Sequence, residues 1–99
     1  MLYYSFNIYN MLQVDRNIQF SRLVKTNDRL REFNFRKANG RPETVVNIDV
    51  VEERDIRIMF KMQKENDRWR IIPQPMPQWL INVEGKLHEL IEEELALVQ

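Results

Sequence analysis

From Asn17 to Ile72 apolar residues recur at every second position, in short runs separated by turn-forming residues. A period of two places alternate side chains on opposite faces of an extended chain, so this stretch predicts half-buried β-strands rather than helices. Ile18, Phe20 and Val24 alternate, interrupted by Arg22, up to a turn at Lys25-Thr26-Asn27-Asp28. Phe33 and Phe35 share a face opposite Glu32, Asn34 and Arg36 until Asn39-Gly40-Arg41-Pro42 ends the run. Asn-Gly tolerates positive φ, and the following proline removes a ladder donor, which makes this a strong turn signal.

The pattern then repeats. Val46, Ile48 and Val50 oppose Asn47 and Asp49, and Glu52-Glu53-Arg54-Asp55 forms a charged turn. Ile56, Ile58, Phe60 and Met62 alternate with Arg57, Met59, Lys61 and Gln63; Lys64-Glu65-Asn66-Asp67 turns the chain into Arg68 to Ile72, with Trp69 and Ile71 on one side. Consecutive strands with short connections pair as an antiparallel meander. An additional strand is expected over the first fourteen residues, where Leu2, Tyr4, Phe6 and Ile8 alternate.

Pro73-Gln74-Pro75-Met76-Pro77 can continue neither a ladder nor a helix interior, so 73–78 is read as a proline-rich connection. Over 79–98 the period changes to that of a helix. Trp79, Leu80, Val83, Leu87, Leu90, Ile91, Leu95 and Val98 fall on one arc at 100° per residue, with Glu94 inside that arc. Gly85 disfavours a helix interior by about 1 kcal/mol relative to alanine, and Asn82 is a competent N-cap from which a regular helix could start. The fold class that follows is α+β: an antiparallel meander of about five to six strands over 1–72, with one C-terminal amphipathic helix on one face, as a single domain over 1–99.

Composition narrows the chemistry. Hydrophobic residues make up 43% and charged residues 30% of the 99 residues, in the range of globular chains. With no cysteine, a thiolate metal site, an iron–sulfur cluster, a disulfide or a cysteine nucleophile is excluded. With Gly40 and Gly85 as the two glycines, a phosphate-cradling glycine loop is excluded as well. The apolar start Met1–Val14 lacks a basic leader and is read as folded sequence, and no run approaches the roughly 18 apolar residues that span a bilayer. A cytoplasmic, membrane-free setting is expected, with no cofactor, no metal and no catalytic residue assigned.

Net charge is zero, yet 1–41 holds eight Lys or Arg against three Asp or Glu, and 42–99 seven against twelve. Three functional classes fit this inventory. The first is a non-enzymatic protein-interaction module, a homodimer or a binder of another protein, because an open antiparallel sheet leaves edge strands that pairing covers. The second is single-stranded nucleic-acid binding through Arg31, Phe33, Phe35, Arg36 and Lys37, since rings and cations on one strand suit bases and phosphates; burial of both rings in the core is the competing reading. The third is a small-molecule pocket between sheet and helix, lined by Phe60, Trp69 and Trp79.

Trp69 and Trp79 also flank the proline segment and are candidates for a partner groove or for corner packing. Glu84, His88 and Glu92 stand at i, i+4 spacing on one helix stripe, a geometry that serves either a divalent ion or a solvated face. Glu92-Glu93-Glu94 places negative charge near the helix C-terminus, where the macrodipole disfavours it; a frayed last turn or a cationic surface would account for it.

Overall fold

A computed structural model describes residues 17–27, 29–38 and 45–97. The expected N-terminal strand and the Asn39-Gly40-Arg41-Pro42 turn lie outside the described residues. Five strands, β1 (Asn17–Thr26), β2 (Arg29–Ala38), β3 (Val45–Glu53), β4 (Ile56–Glu65) and β5 (Arg68–Ile71), form an antiparallel meander in the order β1-β2-β3-β4-β5, curved into a half-barrel. Two helices follow, α1 (Gln78–Ile81) and α2 (Glu84–Leu97). The α+β reading and the antiparallel sheet closed by a C-terminal helix hold.

The turns are tighter than the charged clusters in the sequence suggested. Thr26 pairs with Arg29 and Glu65 with Arg68, so two residues join each pair of strands. Asn27 takes φ 54°, and Asn66 and Asp67 take φ 50° and 67°. In the Asn66-Asp67 turn, positive φ at both central residues matches the right-handed twist of the flanking strands, and Asn and Asp tolerate it best after glycine. Arg54 takes φ 54° in the β3–β4 turn, next to a register shift between Val51 and Glu53.

The alternation sets the two faces as the sequence implied. The concave face carries Val24, Phe33, Phe35, Val46, Ile48, Val50, Phe60, Met62 and Trp69, all buried against Leu80 of α1 and Leu87, Leu90 and Ile91 of α2. Phe20 stacks on Phe35 with ring centroids 4.4 Å apart. Burying an aromatic ring of this size stabilises by roughly 3–5 kcal/mol against truncation to alanine, so these rings hold the half-barrel to its helices.

Of the two expectations over 79–98, one continuous helix or a regular helix starting near Asn82, the structure is closer to the second: the chain breaks at Asn82 and Val83 and the long helix starts at Glu84. Val83 N–H donates to Leu80 O, three residues back, at 3.2 Å, and Leu87 N–H then starts a new ladder at Val83 O at 2.9 Å. Asn82 is helical (φ −65°, ψ −21°) and closes α1, its side-chain oxygen accepting from Gln78 Nε2 at 2.8 Å, so it does not act as the N-cap. Among the described residues no helix is long and apolar enough to cross a membrane.

Candidate functional site

The two outer edges of the sheet are treated differently. Ile72 N–H points at β4, donating to Lys61 O at 2.9 Å, so by alternation the N–H groups of Trp69 and Ile71 point away from the sheet. Helix α2 meets both. Glu84 Oε2 accepts from Ile71 N–H at 2.7 Å and His88 Nδ1 accepts from Trp69 N–H at 3.0 Å. One turn on, Glu92 Oε2 accepts from the Trp69 indole N–H at 2.8 Å and lies 3.2 Å from Lys64 Nζ.

The Glu84–His88–Glu92 stripe is therefore an edge cap. Spacing of four residues advances about 6 Å along a helix, close to the roughly 6.6 Å between alternate strand residues, so successive side chains meet successive outward donors. His88 accepts at Nδ1 and so carries its proton on Nε2. Among the described residues no group of three or more such side chains is arranged to hold a metal ion. The Trp69 hydrogen bond, opposed by burial and assisted by Lys64, holds the Glu92 carboxyl below its usual range.

At the other edge, β1 extends for ten residues and pairs with β2 along its whole length; among the described residues no strand lies on its far side. With Thr26 and Arg29 closing a two-residue loop, the N–H groups of Gln19, Ser21, Leu23 and Lys25 point outward. Leu23 is 64% exposed there. Nothing in the period-two pattern distinguishes this edge from the capped one; only the side chains of α2 do.

The residues singled out from the sequence separate into different environments. Phe33 and Phe35 are fully buried in the core, as is Trp69, so these rings offer no surface for stacking bases. Arg36 lies on the convex face, 3.2 Å from Asp49. Lys37 is half-buried and engaged in a polar contact. Arg31 and Trp79, from different candidate groups, come together: the Arg31 guanidinium carbon sits 4.0 Å from the centre of the half-buried indole. Trp69 and Trp79 line neither the cleft beside the β3–β4 turn nor the one beside Met59 and Phe60.

Asp49 is a residue the sequence placed on the solvent face and the structure buries to 4% exposure. Ser21 Oγ donates to Asn34 Oδ1 at 2.6 Å, Asn34 Nδ2 donates to Asp49 Oδ1 at 3.0 Å, and Arg57 donates to the same oxygen. Burial pushes the Asp49 carboxyl up, but the Asn34 and Arg57 hydrogen bonds and the charges of Arg57 and Arg36 outweigh it and hold it below the usual range. The row Ser21, Asn34, Asp49 runs across three paired strands, which only the register reveals.

No protein family, curated protein or solved structure matches this chain.

Proposed function

We propose that this chain is a non-enzymatic protein-interaction module that accepts an extended strand on the outer edge of β1, and that the occupant is a second copy of the chain. The observation that carries this reading is the contrast between the edges: β5 is capped donor by donor by α2, whereas among the described residues no strand pairs with the outer edge of β1, where the Gln19, Ser21, Leu23 and Lys25 N–H groups point outward. Long uncovered edges are templates for strand addition. A two-fold axis through Leu23 would set two exposed leucines against each other and close the assembly as a dimer. Zero net charge favours the same association, since copies do not repel. A cytoplasmic setting belongs to the proposal, supported by a chain that uses no cysteine.

The test is solution mass by light scattering, with Leu23→Pro beside the native chain. Proline removes one outward donor and leaves the β1–β2 ladder intact. A dimer of the 12.1 kDa chain, becoming a monomer of unchanged circular dichroism in Leu23→Pro, is expected. A native monomer at millimolar concentration, or a dimer indifferent to the substitution, overturns the reading.

A further inference from the structure

The ladder between β2 and β3 ends at Phe33 opposite Val50. Continued in register, it would set Arg31 opposite Glu52. Beyond that point the two strands instead flank a cleft of about 280 Å³ on the side of the β3–β4 turn. Arg29 Nη2 and Arg31 Nη2 both donate to the Glu52 carbonyl oxygen, at 3.1 and 3.2 Å. Two guanidinium cations thus converge on one neutral oxygen.

That convergence is unfavourable without a counter-charge, because like charges a few ångströms apart repel and desolvation magnifies the effect. No carboxylate among the described residues lies within ion-pair distance of Arg29, Arg31 or Arg54, although all three line the cleft. Arg31 is fixed on three sides, its plane over Trp79, Nη1 on the Thr26 hydroxyl and Nη2 on Glu52 O. Thr26, wholly buried, donates in turn to Arg29 O at 3.2 Å. What Arg31 leaves over is its Nε, which is buried and has no partner. A cation held this rigidly is preorganised for an acceptor.

We infer that this cleft is a binding site for a single oxyanion group, a carboxylate or a phosphate monoester, taken up between Arg29 and Arg31 with Arg54 at the rim. Guanidinium groups match the spacing of two oxygens on one such group. Glu32, Glu52 and Glu53 also line the cleft. They disfavour a dense polyanion such as a nucleic-acid backbone, so the site selects one compact charge. Leu30, 60% exposed, and Val51, 37% exposed, line the same cleft and give an apolar shelf for the body of a ligand whose head is the oxyanion. The volume lies just below the roughly 300–1,000 Å³ of drug-sized ligand sites, in keeping with a small occupant.

The experiment is nuclear magnetic resonance of the arginine Nε–H groups in the full chain, titrated with inorganic phosphate, acetate and hexyl phosphate, against sodium chloride at matched ionic strength. A saturable shift of the Arg31 Nε–H signal with the oxyanions, weakened about tenfold in Arg29→Gln, is expected, that factor being what one charge-assisted hydrogen bond supplies. Arg54→Gln, at an exposed turn residue, is the second variant and is expected to weaken binding less. Tighter binding of hexyl phosphate than of phosphate marks the oxyanion as the head of a larger molecule, and equal binding marks a free anion; either supports the site. A response indistinguishable from chloride, or an affinity unchanged in a folded Arg29→Gln, overturns it.

Discussion

Arg22 and Glu94 meet at 2.6 Å across the concave side of the sheet. Each is the charged residue that interrupts an otherwise apolar pattern, Arg22 in the alternation of β1 and Glu94 in the arc of α2. The two interruptions answer each other, and Arg22 also lies 5.4 Å from the centre of the Phe20 ring. Negative charge near the end of α2 is thus matched within the chain by Arg22. With side chains 31% and 17% exposed, the pair is neither a surface ion pair nor a fully buried one. Glu94→Gln is expected to destabilise the fold by about 1–2 kcal/mol, between the surface and buried limits. Arg22→Met with Glu94→Leu is expected to return most of that stability, since an apolar pair of similar volume replaces the charges. Urea denaturation midpoints of the single and double variants measure this, and a double variant no more stable than Glu94→Gln contradicts it.

The helix cap on β5 makes a prediction at single-amide level. Glu84→Leu removes the acceptor of Ile71 N–H, leaving a donor of a sheet edge without a partner at a cost of about 1–3 kcal/mol. Glu84→Gln keeps a carbonyl oxygen at the same place and is expected to lose much less. Hydrogen exchange at the Ile71 amide should accelerate in Glu84→Leu and stay near native in Glu84→Gln. Equal exchange in both variants would mean that the edge is protected by helix packing alone.

Acid should weaken the convex face through Asp49. Its carboxyl titrates lower in the folded chain than in the unfolded one, so the unfolded state takes up the proton first as pH falls. The stabilisation is fully present above the unfolded value of about 4 and is lost as pH drops through the folded value. Glu92, lowered chiefly by the Trp69 indole hydrogen bond, adds in the same direction. Melting temperature should therefore decline from about pH 5 downward, with a shallower decline in Asp49→Asn. Parallel curves for the two proteins would remove Asp49 from the account.

Gly85 offers a gain. It is the second residue of α2, and a Cβ there would meet only the tip of the Arg68 side chain, at 3.5 Å, an ordinary contact. Its backbone needs no positive φ. Gly85→Ala is expected to stabilise by about 0.5 kcal/mol, the lower part of the usual helix range because the position lies in the first turn. A thermal melt that shifts upward supports this; a downward shift would show that Arg68 cannot give way.

Local states were legible in the order of the residues alone. Period-two alternation made Phe33 and Phe35 strand residues on the face opposite Asn34, and turn residues such as Asn66 and Asp67 fixed where the chain reverses. These are legible because strand periodicity and positive φ are properties of a residue and its near neighbours. The break at Asn82 and Val83 was less so, since an apolar arc continues through a skipped hydrogen bond without a change of pattern.

Tertiary structure decided what each polar residue does. The spacing of Glu84, His88 and Glu92 was visible along the chain, but its role as an edge cap follows from lying against β5, which the spacing does not encode. Arg31 belonged to a basic aromatic strand and Trp79 to a proline-flanking pair until the fold stacked them. Asp49 looked solvent-facing and became buried because three remote side chains converge on it. Alternation assigns a side chain to a face, whereas partners on that face are set by register and by the helix that crosses it. That is why the core could be read from the chain and the charged clusters could not.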